Sequence, residues 1–210
     1  LGHGLGDDGA DFLVRVGGNG GGVVKLTALN KIHISGRVTA YGYVPQGGGG
    51  GSGGSVWLTA GIISGNGRVS ASSLTDFDNE SSYNYTGGGG RIAFYQTQAN
   101  DWSEFEITVS CSGSLPNKDG ENKGGQGTIY WQLPTDVHHG GRITISPPGA
   151  ILCATVLPGT KDGDVRKAYK DATLELGANA NVVIASSSLT QLGGVMQLKD
   201  IDIKKEYEFT

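Results

Sequence analysis

The stretch GGSVWLTAGIISGNGRVSAS, residues Gly53–Ser72, carries the pattern that decides the fold. Apolar and less apolar residues alternate in SVWLTA and again in GRVSA, which is typical of β-strands rich in Val, Ile and Thr. A short apolar piece, Ile62–Ile63, lies between these two segments. Glycine-containing corners separate the three pieces. The stretch therefore predicts a unit of three short strands.

The same unit recurs along the chain. Upstream, VVKLTA from Val23 corresponds to SVWLTA from Ser55, and GRVTA from Gly36 corresponds to GRVSA from Gly67. The period is roughly 30 residues, a length that indicates a repeat architecture. Later glycine clusters are also followed by alternating segments: RIAFYQ from Arg91, TIYWQL from Thr128 and RITIS from Arg142, with a further strand-like segment at Phe105–Cys111.

Three short strands that return after one circuit fit one rung of a parallel β-solenoid, in which each rung pairs with its neighbours. A β-propeller blade needs a longer repeat and tight hairpin turns, and the nearest match, Gly65-Asn66-Gly67, joins segments of unequal length. No helical period is present. We therefore expect an all-β fold, a right-handed parallel β-helix (solenoid) with three short strands per rung and Gly-rich loops.

Glycine content changes along the chain and suggests two regions. Residues 1–136 hold the glycine-rich repeats, and residues 137–210 contain less glycine. We expect the second region to continue the solenoid, although a separate small β layer is the alternative. Because the sequence begins at Leu1 without an initiator Met, we expect a fragment of a longer chain. Strands are expected in the second region at Thr173–Leu176, Val182–Ala185, Val195–Leu198 and Ile201–Ile203.

Composition excludes several classes of protein. Glycine makes up 38 of the 210 residues, but it is clustered and accompanied by only 6 Pro, whereas collagen needs Gly at every third position. No apolar run approaches the roughly 20 residues of a membrane-spanning helix, so we expect no membrane insertion. The net charge of −4 argues against nucleic acid as a partner.

The order of these motifs also carries a resemblance. Together with GGGGRIAFY (Gly87–Tyr95) and GGQGTIYW (Gly124–Trp131), the opening stretch resembles the glycine-rich β-solenoid repeats of very large extracellular surface proteins. It is more distantly similar to filamentous adhesins and autotransporter passenger domains. The resemblance spans residues 17–146 approximately and implies a structural or adhesive role outside the cell. It implies no catalytic residues.

Strand alternation assigns the side chains to two faces. Equivalent inward positions hold large apolar residues, because a slip by one residue would expose the whole set. The outward column holds Lys25, Trp57, Ala93 and Tyr130, so Trp57 and Tyr130 are candidates for an exposed aromatic contact. Such rings pack under a glycine-rich loop, meet a protein neighbour or stack on sugars. The inward positions are Val24, Leu26, Val56, Leu58, Ile92, Phe94, Ile129 and Trp131.

Two further pairs of residues suggest modification. Asn79 and Asn84 lie in N-x-S/T sequons within the polar segment 72–86, which fits glycosylation of a secreted protein. Cys111 and Cys153 either form a disulfide or are small buried hydrophobic residues.

Catalytic and metal signals are weak. Paired carboxylates, which glycosidases need, are limited to Asp7 with Asp8, Glu104 with Glu106, and Asp200 with Asp202. The acidic run Asp76, Asp78 and Glu80 lacks the Gly and Glu positions of an EF-hand, and adjacent His138 and His139 point to opposite faces of a strand. We therefore expect no catalytic, cofactor-binding or metal-binding residues.

The expected function is a non-catalytic structural or adhesive segment of an extracellular surface or filament-forming protein. Its expected partners are further copies of itself or neighbouring solenoid domains, with glycans as an additional class. The alternative is a carbohydrate-binding or polysaccharide-active β-helix, of the lyase or glycosidase kind, in which Trp57 or Tyr130 would line a groove.

Overall fold

The computed structural model describes residues 17–43, 49–73, 87–113, 124–136 and 141–145, and in addition the backbone of the strands at 155–158, 173–176, 182–185 and 202–203. This described part is all-β, as the alternation predicts, and contains no helix. Accordingly, no helix in it has the length and apolar character needed to span a membrane.

Fourteen short strands make up the described part of the fold. In chain order they are β1 (Val23–Thr27), β2 (Lys31–His33), β3 (Arg37–Thr39), β4 (Ser55–Ala60), β5 (Ile62–Ser64), β6 (Arg68–Ser70), β7 (Arg91–Gln96), β8 (Thr108–Ser110), β9 (Thr128–Gln132), β10 (Arg142–Ile145), β11 (Thr155–Pro158), β12 (Thr173–Leu176), β13 (Val182–Ala185) and β14 (Asp202–Ile203).

Corresponding strands of successive units pair in parallel. The four strands that follow the glycine clusters lie side by side in the order β1, β4, β7, β9, and the register aligns Val24 with Val56, Ile92 and Ile129. The shorter strands pair in the same sense: β2 with β5, β3 with β6, and β6 with β8. The correspondence between units that the sequence predicts is confirmed by this register.

The inward columns form a continuous apolar core. Val56, Leu58, Ile92 and Phe94 are at most 2% exposed, as alternation predicts. Leu26 is 41% exposed, so the prediction that it is buried is wrong. Among the described strands, β1 is the last of its sheet, so only β4 covers the Leu26 column.

The third unit departs from the pattern at its middle strand. In the described part of the third unit, no strand pairs with β5, and an isolated bridge between Gly65 and Phe105 takes its place. The predicted strand Phe105–Cys111 is regular only at Thr108–Ser110. Aromatic rings fill the space inside this gap. Phe94, Trp102, Phe105 and Trp131 form a cluster with ring centroids 4.7 to 6.4 Å apart.

Gln96 supplies the hydrogen bonds that a strand would otherwise provide at this gap. Its buried side-chain oxygen accepts the backbone N–H of Ile63 at 2.6 Å, and its Nε2 donates to the carbonyl of Asp101 at 2.7 Å. The edge of β5 is therefore closed by a side chain instead of a neighbouring strand.

Replacing Gln96 by Leu keeps the volume and removes both hydrogen bonds. We expect the free energy of unfolding to fall by about 1–3 kcal/mol, because the buried N–H of Ile63 loses its acceptor. Urea unfolding followed by far-UV circular dichroism measures the loss. Gln98→Leu, at an exposed position two residues along, is the matched control and should change the value by less than about 1 kcal/mol.

Strand direction reverses after the fourth unit. β10 pairs with β9 antiparallel, and β12 and β14 then follow β10 in parallel, which completes a seven-stranded sheet. β11 and β13 form a separate parallel pair. The reversal falls where glycine content drops in the sequence. The assignment of residues 137–210 to a continued solenoid stays a prediction, and Val195–Leu198 lies outside the described residues.

Candidate functional surface: packed glycines and an aromatic ladder

Four glycine segments stack on one another beside the sheets and form what we call the glycine layer: residues 19–22, 51–54, 87–90 and 124–127. In one column, a Cβ added to Gly54, Gly90 or Gly127 would overlap the carbonyl oxygen of the glycine one unit before it. In a second column, a Cβ added to Gly51, Gly87 or Gly124 would overlap the carbonyl oxygen of Asn19, Gly51 or Gly87, respectively. In these two columns backbone packs directly on backbone, so a side chain at any of these six glycines would separate the units.

The glycine layer is also hydrogen-bonded to the ends of the third strands. The N–H groups of Gly54, Gly90 and Gly127 donate to the carbonyls of Ala40, Ala71 and Cys111 at 2.8, 2.7 and 2.8 Å. The same three carbonyls leave no room for a Cβ at Gly21, Gly53 and Gly89. Each of these glycine segments therefore packs on the glycine segment of the unit before it and is hydrogen-bonded to the end of that unit's third strand.

Lack of space, more than unusual backbone angles, explains most of these glycines. Among the described residues only Gly65 and Gly141 have a positive φ, 114° and 63°. The run Gly47–Gly51 is longer than a corner requires. From the sequence alone, it is either a flexible loop or a packed layer of glycines. Gly51 is buried within the layer, and Gly47 and Gly48 lie outside the described residues.

One column of the glycine layer has room for side chains. A Cβ at Gly20 would lie 3.5 Å from the nearest atom, and one at Gly88 would lie 3.6 Å from Gly125, which is ordinary contact. Ser52 occupies this column in the second unit and is exposed. The sequence therefore places a side chain where the backbone permits one.

An aromatic ladder stands on the outer face of the sheet, formed by Trp57, Tyr95 and Tyr130. The Trp57 ring stacks on Tyr95 with centroids 5.0 Å apart and planes at 16°. Tyr95 meets Tyr130 at 5.3 Å and 50°. Lys25 Nζ lies 5.3 Å from the Trp57 ring centroid. The ladder crosses three adjacent strands.

The strand register aligns Lys25, Trp57, Ala93 and Tyr130, as the sequence predicts. Trp57 is exposed as expected, whereas Tyr130 is only half-exposed. Sequence analysis missed Tyr95. Its signal was present, because Tyr95 lies two residues beyond Ala93 on the same strand and hence on the same face. The small Ala93 leaves the space between the two predicted rings, and Tyr95 fills it.

Both faces of the Trp57 ring are in use. Lys25 and Tyr95 come from strands on opposite sides of β4, so they approach the ring from opposite sides. The indole N–H donates to Thr59 Oγ1 at 3.1 Å, and Tyr130 donates to Gln132 Oε1 at 3.2 Å. Trp57 is nevertheless 43% exposed. Lys25 and Tyr95 therefore compete with a sugar for the faces of this ring, because sugars stack on a free face.

Cys111 is buried in the core beside the glycine layer. Burial raises the pKa of its thiol to about 12, against a partial lowering by the hydrogen bond from Gly127. Cys111 forms no disulfide within the described part. Cys153 lies outside it, so the pairing of these two residues stays a prediction, as does glycosylation of Asn79 and Asn84, which also lie outside.

The raised pKa of Cys111 predicts a loss of stability at alkaline pH. The unfolded thiol ionises near its ordinary pKa of 9.0, while the folded thiol stays protonated to about pH 12. Its contribution is therefore complete below pH 9 and declines as the pH rises towards 12, by about 1.4 kcal/mol per unit. Urea unfolding at about pH 8 and about pH 10 should show this loss in the parent chain. The Cys111→Ala variant should lose correspondingly less, and equal losses in both would contradict the prediction.

The weak catalytic and metal candidates do not gather into a site within the described residues. Glu104 and Glu106 are exposed, and Glu104 forms an ion pair with Lys31 at 2.7 Å. No three His, Cys, Asp or Glu side chains of the described part lie close enough to hold a metal ion. The remaining candidates lie outside that part: Asp7, Asp8, Asp76, Asp78, Glu80, His138, His139 and Asp200.

Comparison with known proteins identifies no relative. The chain matches no protein-family model, no curated protein and no solved structure.

Proposed function

We propose that the chain is a non-catalytic structural segment of an extracellular surface or filament-forming protein, folded as a right-handed parallel β-solenoid. One observation carries the proposal. Successive units repeat the same parallel register in the sheet and the same backbone contacts in the glycine layer. A stack of this kind grows by adding units and keeps a constant cross-section, which suits a scaffold.

The distribution of polar groups also supports a scaffold. The inner columns are filled by apolar side chains, and the glycine layer is closed by backbone contacts. Glycines in the layer contribute close packing and backbone hydrogen bonds instead of functional groups. Much of the repeat is therefore committed to stacking. The extracellular setting and the adhesive role are carried by the resemblance to glycine-rich surface proteins.

The second candidate function is carbohydrate binding on the aromatic ladder. The exposure of Trp57 favours it, since exposed aromatic rings are common sugar contacts. The stacking of Lys25 and Tyr95 on its two faces counts against it. We therefore rank it below the structural role.

Surface labelling tests the structural proposal. Antibodies raised against the 210-residue chain should label intact, unpermeabilised cells of the source organism or the material that these cells secrete. Labelling that appears only after permeabilisation would overturn the extracellular assignment.

A glycan array and a polysaccharide turnover assay separate the two candidates. We expect the parent chain and Trp57→Ala to give the same background signal and no turnover. Saturable binding by the parent that Trp57→Ala loses would favour the carbohydrate-binding function instead. Tyr43→Ala is the control, because Tyr43 is exposed but lies outside the ladder.

A further inference from the structure

The aromatic ladder brings two tyrosine rings into contact. Tyr95 on β7 and Tyr130 on β9 have ring centroids 5.3 Å apart, with their planes tilted by 50°. The register pairs Ala93 with Tyr130, so Tyr95 lies diagonally across from Tyr130 and on the same outer face. The third and fourth units therefore each contribute one phenol ring to this contact.

The sheet holds the two rings in position. β7 and β9 pair in parallel along their length, from Arg91 with Thr128 to Tyr95 with Gln132. The hydroxyl of Tyr130 donates to Gln132 Oε1 at 3.2 Å. Tyr95 lies between Trp57 and Tyr130, because β4 and β9 flank β7 on opposite sides. A reaction between the two phenol rings would therefore start from side chains that the fold has already brought together.

Two phenol rings in contact can be joined by oxidative coupling. A one-electron oxidant removes an electron from each phenol, and each phenolic proton leaves to solvent. The two phenoxyl radicals form a carbon–carbon bond between the ring positions next to the hydroxyl-bearing carbons. Each joined carbon then loses its proton and each oxygen regains one. The product, dityrosine, has two hydrogen atoms fewer than two tyrosines, and the two electrons and two protons reduce one hydrogen peroxide to two waters.

Trp57 gives the oxidant a point of entry to this pair. Its side chain is 43% exposed, whereas Tyr95 and Tyr130 are half-buried. The Trp57 ring stacks on Tyr95 with centroids 5.0 Å apart and planes at 16°. At neutral pH a tryptophan radical oxidises a neighbouring tyrosine, because the tyrosine radical is the more stable of the two. An oxidising equivalent taken up at Trp57 therefore passes to Tyr95.

We propose that Tyr95 and Tyr130 form an oxidative cross-linking site, which hydrogen peroxide and a one-electron oxidant of the haem-peroxidase class convert to dityrosine. The bond ties β7 to β9 and so fixes the third unit to the fourth. β9 is also the strand after which strand direction reverses, so the bond secures the end of the parallel stack. The site rests on the geometry of the ladder, and only its use outside the cell rests on the proposed function.

Peroxidase treatment of the full 210-residue chain tests the site. Trypsin places the two tyrosines in separate peptides, 92–118 and 124–142, neither of which contains another tyrosine. We expect mass spectrometry to find these two peptides joined, with a mass lower than their sum by two hydrogen atoms, and to find dityrosine fluorescence in the joined pair. In a mixture of isotope-labelled and unlabelled chains, every joined pair should carry a single label, because the contact lies within one chain.

Three conservative variants assign the reaction to the ladder. Tyr95→Phe keeps the ring and should lose the joined pair completely. Tyr43→Phe is the matched control, because Tyr43 is exposed but lies outside the ladder, and it should form the pair as the parent does. Trp57→Phe should form the pair more slowly than the parent, and an equal rate would overturn the entry role of Trp57.

Stability gives a second measurement on the same samples. The oxidised parent should unfold at a higher urea concentration than the untreated parent, because a cross-link restricts the unfolded chain. Tyr95→Phe should show no such rise after the same treatment. A rise of equal size in both would mean that oxidation acts elsewhere in the chain, and it would count against the cross-link.

The remaining outcomes separate this site from the proposed function. Absence of the joined pair in the folded parent would overturn the site, and so would an equal yield from the chain unfolded in urea, since the fold would then not direct the coupling. Pairs of mixed label would place the contact between chains and overturn it as well. Absence of surface labelling would overturn the extracellular setting and leave an observed cross-link standing.

Discussion

Gly90→Ala is expected to lower the free energy of unfolding by about 3 kcal/mol, the upper end of the usual range for overpacking. The added Cβ would overlap the carbonyl oxygen of Gly54, which is backbone and has no rotamer through which to move away. Relief requires the second and third units to separate, and that disturbs the hydrogen bond from Gly90 to Ala71. Urea unfolding of the full chain measures the effect.

Gly88→Ala is the matched control, two residues earlier in the same segment. Its Cβ would lie 3.6 Å from the nearest atom, so we expect a change within about 1 kcal/mol, in the stabilising direction where the loss of unfolded-state entropy dominates. Equal stability of the two variants would show that the glycine segments do not stack as described.

Phe94→Ala is expected to cost about 3–5 kcal/mol, the range for removing a buried aromatic side chain. Phe94 is fully buried and contacts Trp102, Phe105 and Trp131. These rings fill the place where the third unit lacks a middle strand. Removing the Phe94 ring would therefore leave a cavity that no neighbouring strand can move in to fill. Chemical unfolding monitored by tryptophan fluorescence measures the loss.

Tyr95→Ala controls for the effect of shortening an aromatic residue in β7. Tyr95 is the adjacent residue on the outer face and is only half-buried. We expect its loss to be smaller than that of Phe94→Ala by at least about 2 kcal/mol. A larger loss for Tyr95→Ala would mean that the ladder, and not the inner column, holds this strand in place.

The strand repeat could be predicted from the sequence because its signals are local. Alternation places Val56, Leu58, Ile92 and Phe94 on one face, and the recurrence of matched segments fixes which strands are neighbours. The outward column could be predicted for the same reason. Alternation also places Tyr95 on the outward face, but its contact with Trp57 depends on the rotamers of the two side chains.

Other features depend on what surrounds a residue in space. In the sequence, Gln96 looks like the polar end of a strand. It is a buried hydrogen-bond acceptor because no strand of the third unit pairs with β5 in the described part. The reversal between β9 and β10 involves an orientation, which an alternating pattern does not encode. Exposure of Leu26 likewise follows from its place at the end of a sheet and not from its own segment.

The column of Gly20, Ser52 and Gly88 makes the surface of the glycine layer a molecular ruler. Successive strands of a sheet lie about 4.8 Å apart, so chemical groups introduced at these positions would form a straight row with that spacing. Cysteines placed there could carry dyes or metal chelators at graded separations. A layer whose other columns are closed by backbone contacts thus provides one row of sites for periodic display.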